Sequence, residues 1–560
     1  MKKVILYLFT NIFISNFINA QTWVWAKNTG GNNTVEETVA TKTDATGNVY
    51  AAGIFSGSTV TFGTYTLSNA SSSGTPDIFL VKYNTSGSVL WAKRAGGINY
   101  EQVSGLTIDA SGNIIITGTF DSNSITFGTN TLIKNGSYND IYTTKYDSNG
   151  NVLWAKQISG PDDDRTYSVC SDAASNIYLV GTYSSYTLTA GSFSLINSTQ
   201  SFSTYDGFIV KYNSAGNTAW VQNIGTTTLE SENVQTVVSD VSGANIYVVG
   251  SIEGSAVVGT TTLTTSSNLN RDLFFAKYNA STGAPIFANL ITGDGLEIAK
   301  GMTRDGSNNI YITGTFDGGT MSFGSNSINN VSATTKDLFI AKYNTSGIIQ
   351  WVKSEGNSSE DEANNICNDA SGNIFICGTF KSNTITFGST TLTNTSPNTY
   401  YDAFLAKYNS SGTSMFAIRL GGTNNDWVNS ITVDASSNIY VGGGYTSPSI
   451  SFGAITLTNT ASGYSDAYIA KYGSTTTGIE NIEKNNNFSI YPNPNTGSFS
   501  IKVVDCNYNL KIMNNLGQLF YNEKIENRNS VISIKDLVAG IYYAILEKDG
   551  YYWTEKVIVQ

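Results

Sequence analysis

Histidine is absent from this chain of 560 residues. That excludes Ser-His-Asp and Cys-His triads, His-ligated zinc and iron, and the side chain best matched to proton transfer near neutral pH. Any catalyst built here works with carboxylates, Tyr, Lys or Ser. Charge is scarce too: Asp, Glu, Lys and Arg make up 13% of residues, with a net charge of −11 and no Lys/Arg-rich run. Nucleic acid requires a basic footprint and is not an expected partner. Cysteine is limited to Cys170, Cys367, Cys377 and Cys506, too few and too scattered for a disulfide framework. Cys367 and Cys377 flank one expected hairpin and could face each other across it, although small buried hydrophobes at sheet positions is the favoured reading. The only long apolar stretch runs from Val4 to about Ile18, behind Met1-Lys2-Lys3, and is interrupted by Asn11 and Asn16. It reads as a secretory signal over residues 1–20, cleaved after Ala20, and no membrane span is expected in the mature chain.

What the chain has is repetition. Asp-x-[Phe/Tyr]-x-x-Lys-Tyr occurs seven times, with lysines at Lys82, Lys145, Lys211, Lys277, Lys342, Lys407 and Lys471, 63 to 66 residues apart. Such a period marks units that bury their apolar faces only by stacking on neighbours. Each unit has four segments. A Trp-[Ala/Val]-[Lys/Gln] segment (Trp25, Trp91, Trp154, Trp220, Trp351, with Phe287 and Phe416 as substitutes) precedes a segment leading into an Asp-Ala-Ser-Gly-Asn type turn, as at Asp109 to Asn113. An apolar run such as Ile114 to Phe120 follows, and then the Lys-Tyr segment. These are short β-branched and aromatic runs bounded by turn residues, so they are strands. Those apolar at successive positions must be covered on both faces. Four strands in each of seven units predict an all-β, seven-bladed β-propeller over residues 21–473. The last Lys-Tyr lacks a following Trp-Ala-Lys strand and the first Trp-Ala-Lys lacks a preceding Lys-Tyr, so an N-terminal strand is expected to complete the last sheet and close the ring. A further segment, as at Ile125 to Leu132, predicts a hairpin-like excursion on one rim, followed by variable Ser/Asn/Gly-rich loops where binding would be placed.

The unit resembles the SBBP β-propeller repeat of secreted bacterial proteins, whose pattern Asp-x-x-Gly-Asn-x-Tyr-x-x-Gly stands in full at Asp44 to Gly53. The resemblance covers about residues 22–473 and implies a scaffold, with nearly nothing about function.

The Asp-x-Ser-x-Asn turns resemble the opening of a calcium loop, but a strand begins where the loop would continue. The aspartate is therefore expected to cap its own turn, and no cofactor or metal ligand is assigned beyond that calcium alternative. The aspartate opening each Lys-Tyr strand pairs with a neighbouring unit's lysine or begins the strand; either role is structural. Features in which units differ are the better functional candidates. The expected ligand rim comprises Asp162, Asp163, Asp164, Glu230, Glu232, Glu360, Asp361, Asp426 and Trp427, all in the connection after the Trp-Ala-Lys strand. A solvated surface is the plainer reading of these acids. No catalytic residue is assigned.

After an Asn-rich linker over residues 474–487, the composition changes. Residues 488–560 carry Tyr491-Pro492-Asn493-Pro494 with Gly497, then Gly517, Gly540-Ile541-Tyr542 and a terminal Lys556-Val557-Ile558-Val559. This module resembles the type A C-terminal sorting domain of type IX secretion cargo from Bacteroidetes. The resemblance implies a small immunoglobulin-like β-sandwich with Tyr491, Pro492, Asn493, Pro494, Gly497, Gly517, Gly540, Tyr542 and Lys556 as the sorting signal. It also implies the type IX translocon and its sorting peptidase as partners, and a destination outside the cell or on its surface, reached through the periplasm. The leading expectation is thus a secreted or surface propeller that binds a glycan or protein ligand without enzymatic turnover. The alternative is a carboxylate-based glycan hydrolase or lyase working on one rim.

Overall fold

A computed structural model describes residues 21–29, 34–197, 199, 204–226, 230–265, 271–460, 463–474, 488–503, 507–514, 518–534, 537–548 and 551–560. These residues form strands and turns, and none of them lies in a helix long and apolar enough to cross a membrane. The chain divides into two compact units after Ser474.

The first unit is an array of propeller-like antiparallel sheets. In the first, Glu36–Thr43, Val49–Phe55, Asp77–Tyr83 and Val89–Ala95 pair in chain order. The arrangement recurs, and the sheet formed by Asp426–Val433, Ile439–Tyr445 and Asp466–Ser474 takes Gln21–Asn28 as its fourth strand. Each first strand packs beside the first strand of the next sheet, and Glu36–Thr43 packs also against Asp426–Val433. The second and third strands are buried at every position in the first sheet, as runs without polar alternation require.

Two parts of the sequence pattern find their cause here. The final glycine of the ten-residue motif, Gly53, lies opposite a β-bulge between Thr38 and Ala40. A Cβ there would stand 1.9 Å from the Glu37 carbonyl oxygen, so only glycine lets the bulged strand approach. The turn aspartate caps its own turn: Asp109 Oδ1 accepts the N–H groups of Ser111 and Asn113, both at 2.9 Å.

Neighbouring sheets are latched by the two repeated side chains. Lys82 Nζ and Trp91 Nε1 both donate to the Ser148 carbonyl in a turn of the next sheet, at 3.2 and 3.1 Å. The same latch joins the ends of the array, because Lys471 and Trp25 both donate to the Thr85 carbonyl, at 3.2 and 3.0 Å. The lysine thus faces a neighbour's carbonyl and its own unit's turn aspartate, as in the 2.6 Å Lys145–Asp109 pair. It does not face the aspartate that opens its strand. The excursion after the second strand is a two-stranded hairpin, and Thr187–Ala190 and Thr320–Phe323 extend the preceding sheet by pairing with its fourth strand.

Cys170, Cys367 and Cys377 are free thiols. Cys367 lies opposite Phe375 and Cys377 opposite Asn365, so no bond crosses that hairpin, and both fill the core around Val428 and Ile431. Cys506 and Gly517 lie outside the described residues.

The second unit has a three-stranded sheet (Phe488–Tyr491, Ser498–Val503, Asn529–Ser533) and a four-stranded one (Leu519–Ile525, Tyr508–Asn514, Gly540–Lys548, Tyr551–Val559). They share one core that includes Phe499, Ile501, Leu510, Ile512 and Val557. Asn493 Oδ1 accepts the Ile558 N–H at 2.7 Å, and the Asn495 N–H donates to the Ile558 carbonyl at 2.8 Å. The Pro-Asn-Pro-Asn segment is thereby fastened to the last strand, while Tyr491 stays 79% exposed.

Trp25 is buried against Tyr83 and Tyr440. Trp25→Ala is expected to destabilise the array by about 3–5 kcal/mol, the usual cost of removing a buried tryptophan, read as a lower guanidinium midpoint. An unchanged midpoint would show that the N-terminal strand contributes nothing to the fold.

Candidate functional site

The first strands of all the sheets line a central cavity of about 510 Å³, which continues into a wider mouth of about 640 Å³. Consecutive residues past the bulge of the first strands line the cavity, and the start of the strands lines much of the mouth.

Position one of each strand is an acid: Glu36, Glu101, Asp164, Glu232, Glu297, Asp361 and Asp426, each at most 1% exposed. Each acid faces the aspartate that opens the preceding sheet's third strand, for example Glu101 with Asp77, Asp361 with Asp337 and Glu36 with Asp466. This corrects the expectation for Asp164, Glu232, Asp361 and Asp426. They are neither points of difference nor rim groups, but one repeated seam position. The reason is burial at the seam, where three of them are met by donors from neighbouring strand ends. Asp164, Asp361 and Asp426 accept Ser185, Ser382 and Ser447 hydroxyls at 2.9, 2.8 and 2.7 Å, and Asp426 also takes the Gly422 N–H. Burial, opposed by these hydrogen bonds, pushes the carboxyls up: Glu101 to about 7, Glu36 and Asp164 to about 8, and Glu297 to about 9.

Positions two and four differ from unit to unit, and most of them line the mouth. Position two is Glu37, Gln102, Arg165, Asn233, Ile298, Glu362 and Trp427; position four is Val39, Ser104, Tyr167, Gln235, Lys300, Asn364 and Asn429. Some are tied across seams. Lys300 Nζ meets Glu362 Oε2 at 2.7 Å and Asn364 Oδ1 at 3.2 Å, while Trp427 Nε1 donates to Glu37 Oε1 at 2.8 Å. Others, with Tyr100, leave an amide-rich and aromatic wall.

The remaining rim candidates sit at the seams. Asp163 takes Arg165 Nε and Asn139 Nδ2, both at 2.7 Å. Asp162 donates its N–H to Ser185 Oγ, Glu230 accepts the Ser255 N–H, and Glu360 accepts the Tyr401 hydroxyl and an ion pair from Lys381. Among the described residues no hydrogen bond or ion pair joins Glu360 to Asp163 or Glu232. No group of three or more Cys, Asp or Glu among the described residues is arranged to hold a metal. Tyr100, Gln102, Tyr167, Gln235 and Lys300 were not selected from the sequence. Aligning the first strands on their leading acid would have found the position-two and position-four residues among them.

Residues 489–560 match the family described as the Secretion system C-terminal sorting domain, and residues 416–444 match the SBBP Beta-propeller repeat. Residues 489–560 are a type IX C-terminal sorting domain, and residues 416–444 are an SBBP propeller repeat. The tail implies handling by the type IX secretion system and export to the cell surface or beyond. An uncharacterised WD repeat-containing protein of Acanthamoeba polyphaga mimivirus is 24% identical over 480 residues, covering 72% of this chain and 34% of its own length. Regulatory protein FlaEY of Caulobacter vibrioides is 30% identical over 115 residues, or 20% of this chain and 12% of its own. The chain therefore spans about a third or less of these relatives. Solved structures with a similar course include the Dos1 propeller (9% identity, 81% of this chain and 95% of that one, TM-score 0.39). Another is PorZ, a surface component of the type IX secretion system of Porphyromonas gingivalis (10% identity, 95% and 100% coverage, TM-score 0.21).

The raised seam carboxyls make stability depend on pH. They are neutral in the fold and ionised in the unfolded chain above its ordinary carboxyl range near 4.5, so their contribution is full below that value and falls as pH rises towards 9. Turn acids such as Asp44 and Asp305 are held low by their turn hydrogen bonds, which outweigh burial, and lose stability only in acid. The melting temperature is therefore expected to drop by several degrees between pH 5.5 and 8.5, and Glu297→Gln should flatten that slope. A melting temperature that rises over this range would contradict the assignment.

Proposed function

We propose that the chain is an exported seven-bladed propeller, closed by Gln21–Asn28, that binds a glycan or protein ligand at its central mouth without turning it over. The observation that carries this reading is the contrast within each first strand. Position one repeats an acid through the whole array, whereas positions two and four on the mouth change from unit to unit. A scaffold needs only the first; a shaped recognition surface needs the second. Planar amides such as Gln102, Asn233, Gln235, Asn364 and Asn429, next to Tyr100 and Tyr167, suit the vicinal hydroxyls and apolar faces of a sugar.

The same reading takes residues 1–20 as a signal peptide, 21–473 as the propeller, 474–487 as linker and 488–560 as an immunoglobulin-like sorting sandwich handled by the translocon and its peptidase. Calcium has no part in it. A carboxylate-based hydrolase or lyase is the less favoured reading, because the rim acids are spent on seam contacts: Asp163 on Arg165 and Asn139, Glu360 on Tyr401 and Lys381.

A glycan array on the purified chain, run beside turnover assays on the same polysaccharides, tests both readings. Binding without turnover is expected, and the paired change Tyr100→Ala and Gln102→Ala, whose side chains line the mouth and among the described residues bond only to each other, should weaken it at least tenfold, about 1.4 kcal/mol, with the fold retained. Turnover that disappears on substituting a rim acid would sink the binding-only reading. Export is tested separately: deletion of residues 488–560 is expected to leave the chain in the periplasm.

A further inference from the structure

The seam between the third and fourth sheets differs from the others in chemistry. Arg165 and Tyr167 stand on the strand Asp164–Ser171, and Tyr205 immediately precedes Asp206–Tyr212. Across the seam, Glu232 and Asn233 head the strand Asn233–Ser239, and Arg271 opens Arg271–Asn279. Together they line a cleft of about 220 Å³ that joins the central mouth, since Tyr167 and Asn233 belong to both walls. Two of the chain's six arginines meet in this one place. The residues equivalent to Arg165 in the other sheets are Glu37, Gln102, Asn233, Ile298, Glu362 and Trp427, none of them basic.

The two guanidiniums are held but not used up. Arg165 donates through Nε to Asp163, and Arg271 through Nε to Glu253. Among the described residues nothing takes their Nη groups, and the two side chains are 51% and 36% exposed. Each arginine is therefore oriented by one carboxylate, with its charge locally balanced and its fork of N–H donors open to a second planar acceptor. Glu232 lines the same cleft but is 1% exposed: it is the repeated seam acid, facing Asp206 and taking the Thr226 backbone N–H. Burial first, and then the Asp206 carboxylate beside it, push it up to about 9, so at neutral pH it sets no negative charge against an anionic ligand.

We infer that this cleft binds the carboxylate of an acidic sugar, a uronate unit of a polysaccharide, with Arg165 and Arg271 clamping the carboxylate and Tyr167 lying along the sugar ring. The inference rests on the glycan reading of the mouth and narrows it to an anionic polymer. A sugar is favoured over an acidic peptide because the wall continuing from Asn233 interleaves amides and tyrosines with the aliphatic side chains of Val39, Ile54, Val103 and Ile298, an alternation that matches the hydroxyl and C–H faces of a saccharide chain.

The full chain would be titrated by calorimetry with oligogalacturonate, oligomannuronate and hyaluronan oligosaccharides, and with the carboxyl-reduced forms of the first two. At least one acidic series is expected to bind at least tenfold more tightly than its reduced form, weakening as salt rises. Arg165→Gln or Arg271→Gln should each remove at least tenfold of that preference, and Arg271→Lys should not restore it fully. Arg419→Gln, which alters a pair with Asp402 at another seam, should match the unsubstituted chain. Matched melting curves would show that the variants fold. Equal binding of acidic and reduced oligosaccharides, arginine variants that keep the preference, or binding of neutral glycans alone would overturn the acidic-sugar assignment while leaving the mouth reading intact. No binding of any glycan would overturn both.

Discussion

Every seam in the first unit is built around two buried carboxyl groups, one from each neighbouring sheet, and the remainder of that unit follows from accommodating them. A carboxylate without water is costly, so the acids are held neutral or met by N–H and hydroxyl donors from the strand ends that cross the seam. Those donors come from fixed positions, which obliges each sheet to present the same backbone to its neighbour. The glycine opposite the bulge, the serine after the second strand and the glycines after the fourth strand all serve that approach: a Cβ on Gly96 would stand 1.9 Å from Asp77 Oδ1. Apolar burial supplies most of the stabilisation, but it is indifferent to register. The carboxyl seam and the Lys–Trp latch on a neighbour's carbonyl are what set one sheet's register on the next.

That division of labour frees the mouth. At the start of each first strand, buried side chains alternate with accessible ones, so a strand can keep its acid at position one while changing positions two and four at little cost to the fold. Arg165, Ile298 and Trp427 occupy the same place on their strands and have nothing chemical in common. Variation restricted to one face of a repeated strand follows when the opposite face is held by packing and this one is not.

The scaffold was legible in the sequence because its constraints repeat. The Lys-Tyr and Trp-Ala-Lys periods, the turn aspartates and the unpaired first and last motifs lead directly to the sheet pairings, including that of Gln21–Asn28 with Asp466–Ser474. The candidate site was legible only in outline. Asp164, Glu232 and Asp361 stand in clusters of acids, and the neighbours Asp162, Asp163, Glu230, Glu360 and Glu362 hide the fact that one member of each cluster, like the isolated Asp426, recurs in every unit. Composition could not separate the buried acid from its exposed neighbours; the bulge between positions three and five, which sets which side chain turns inward, is a three-dimensional fact. Tyr205 and Arg271 were out of reach for a different reason. They come from connections of unequal length, and nothing in a linear reading brings them to Arg165.

The C-terminal unit follows another logic. Its Tyr-Pro-Asn-Pro start and its Lys-Val-Ile-Val segment are far apart in the chain, yet Asn493 and Asn495 bond to the backbone at Ile558. The two ends of the module therefore specify one another: a truncated last strand would release the opening segment as well. That coupling holds Tyr491, the most exposed large side chain of the segment, beside a strand whose own packing fixes it.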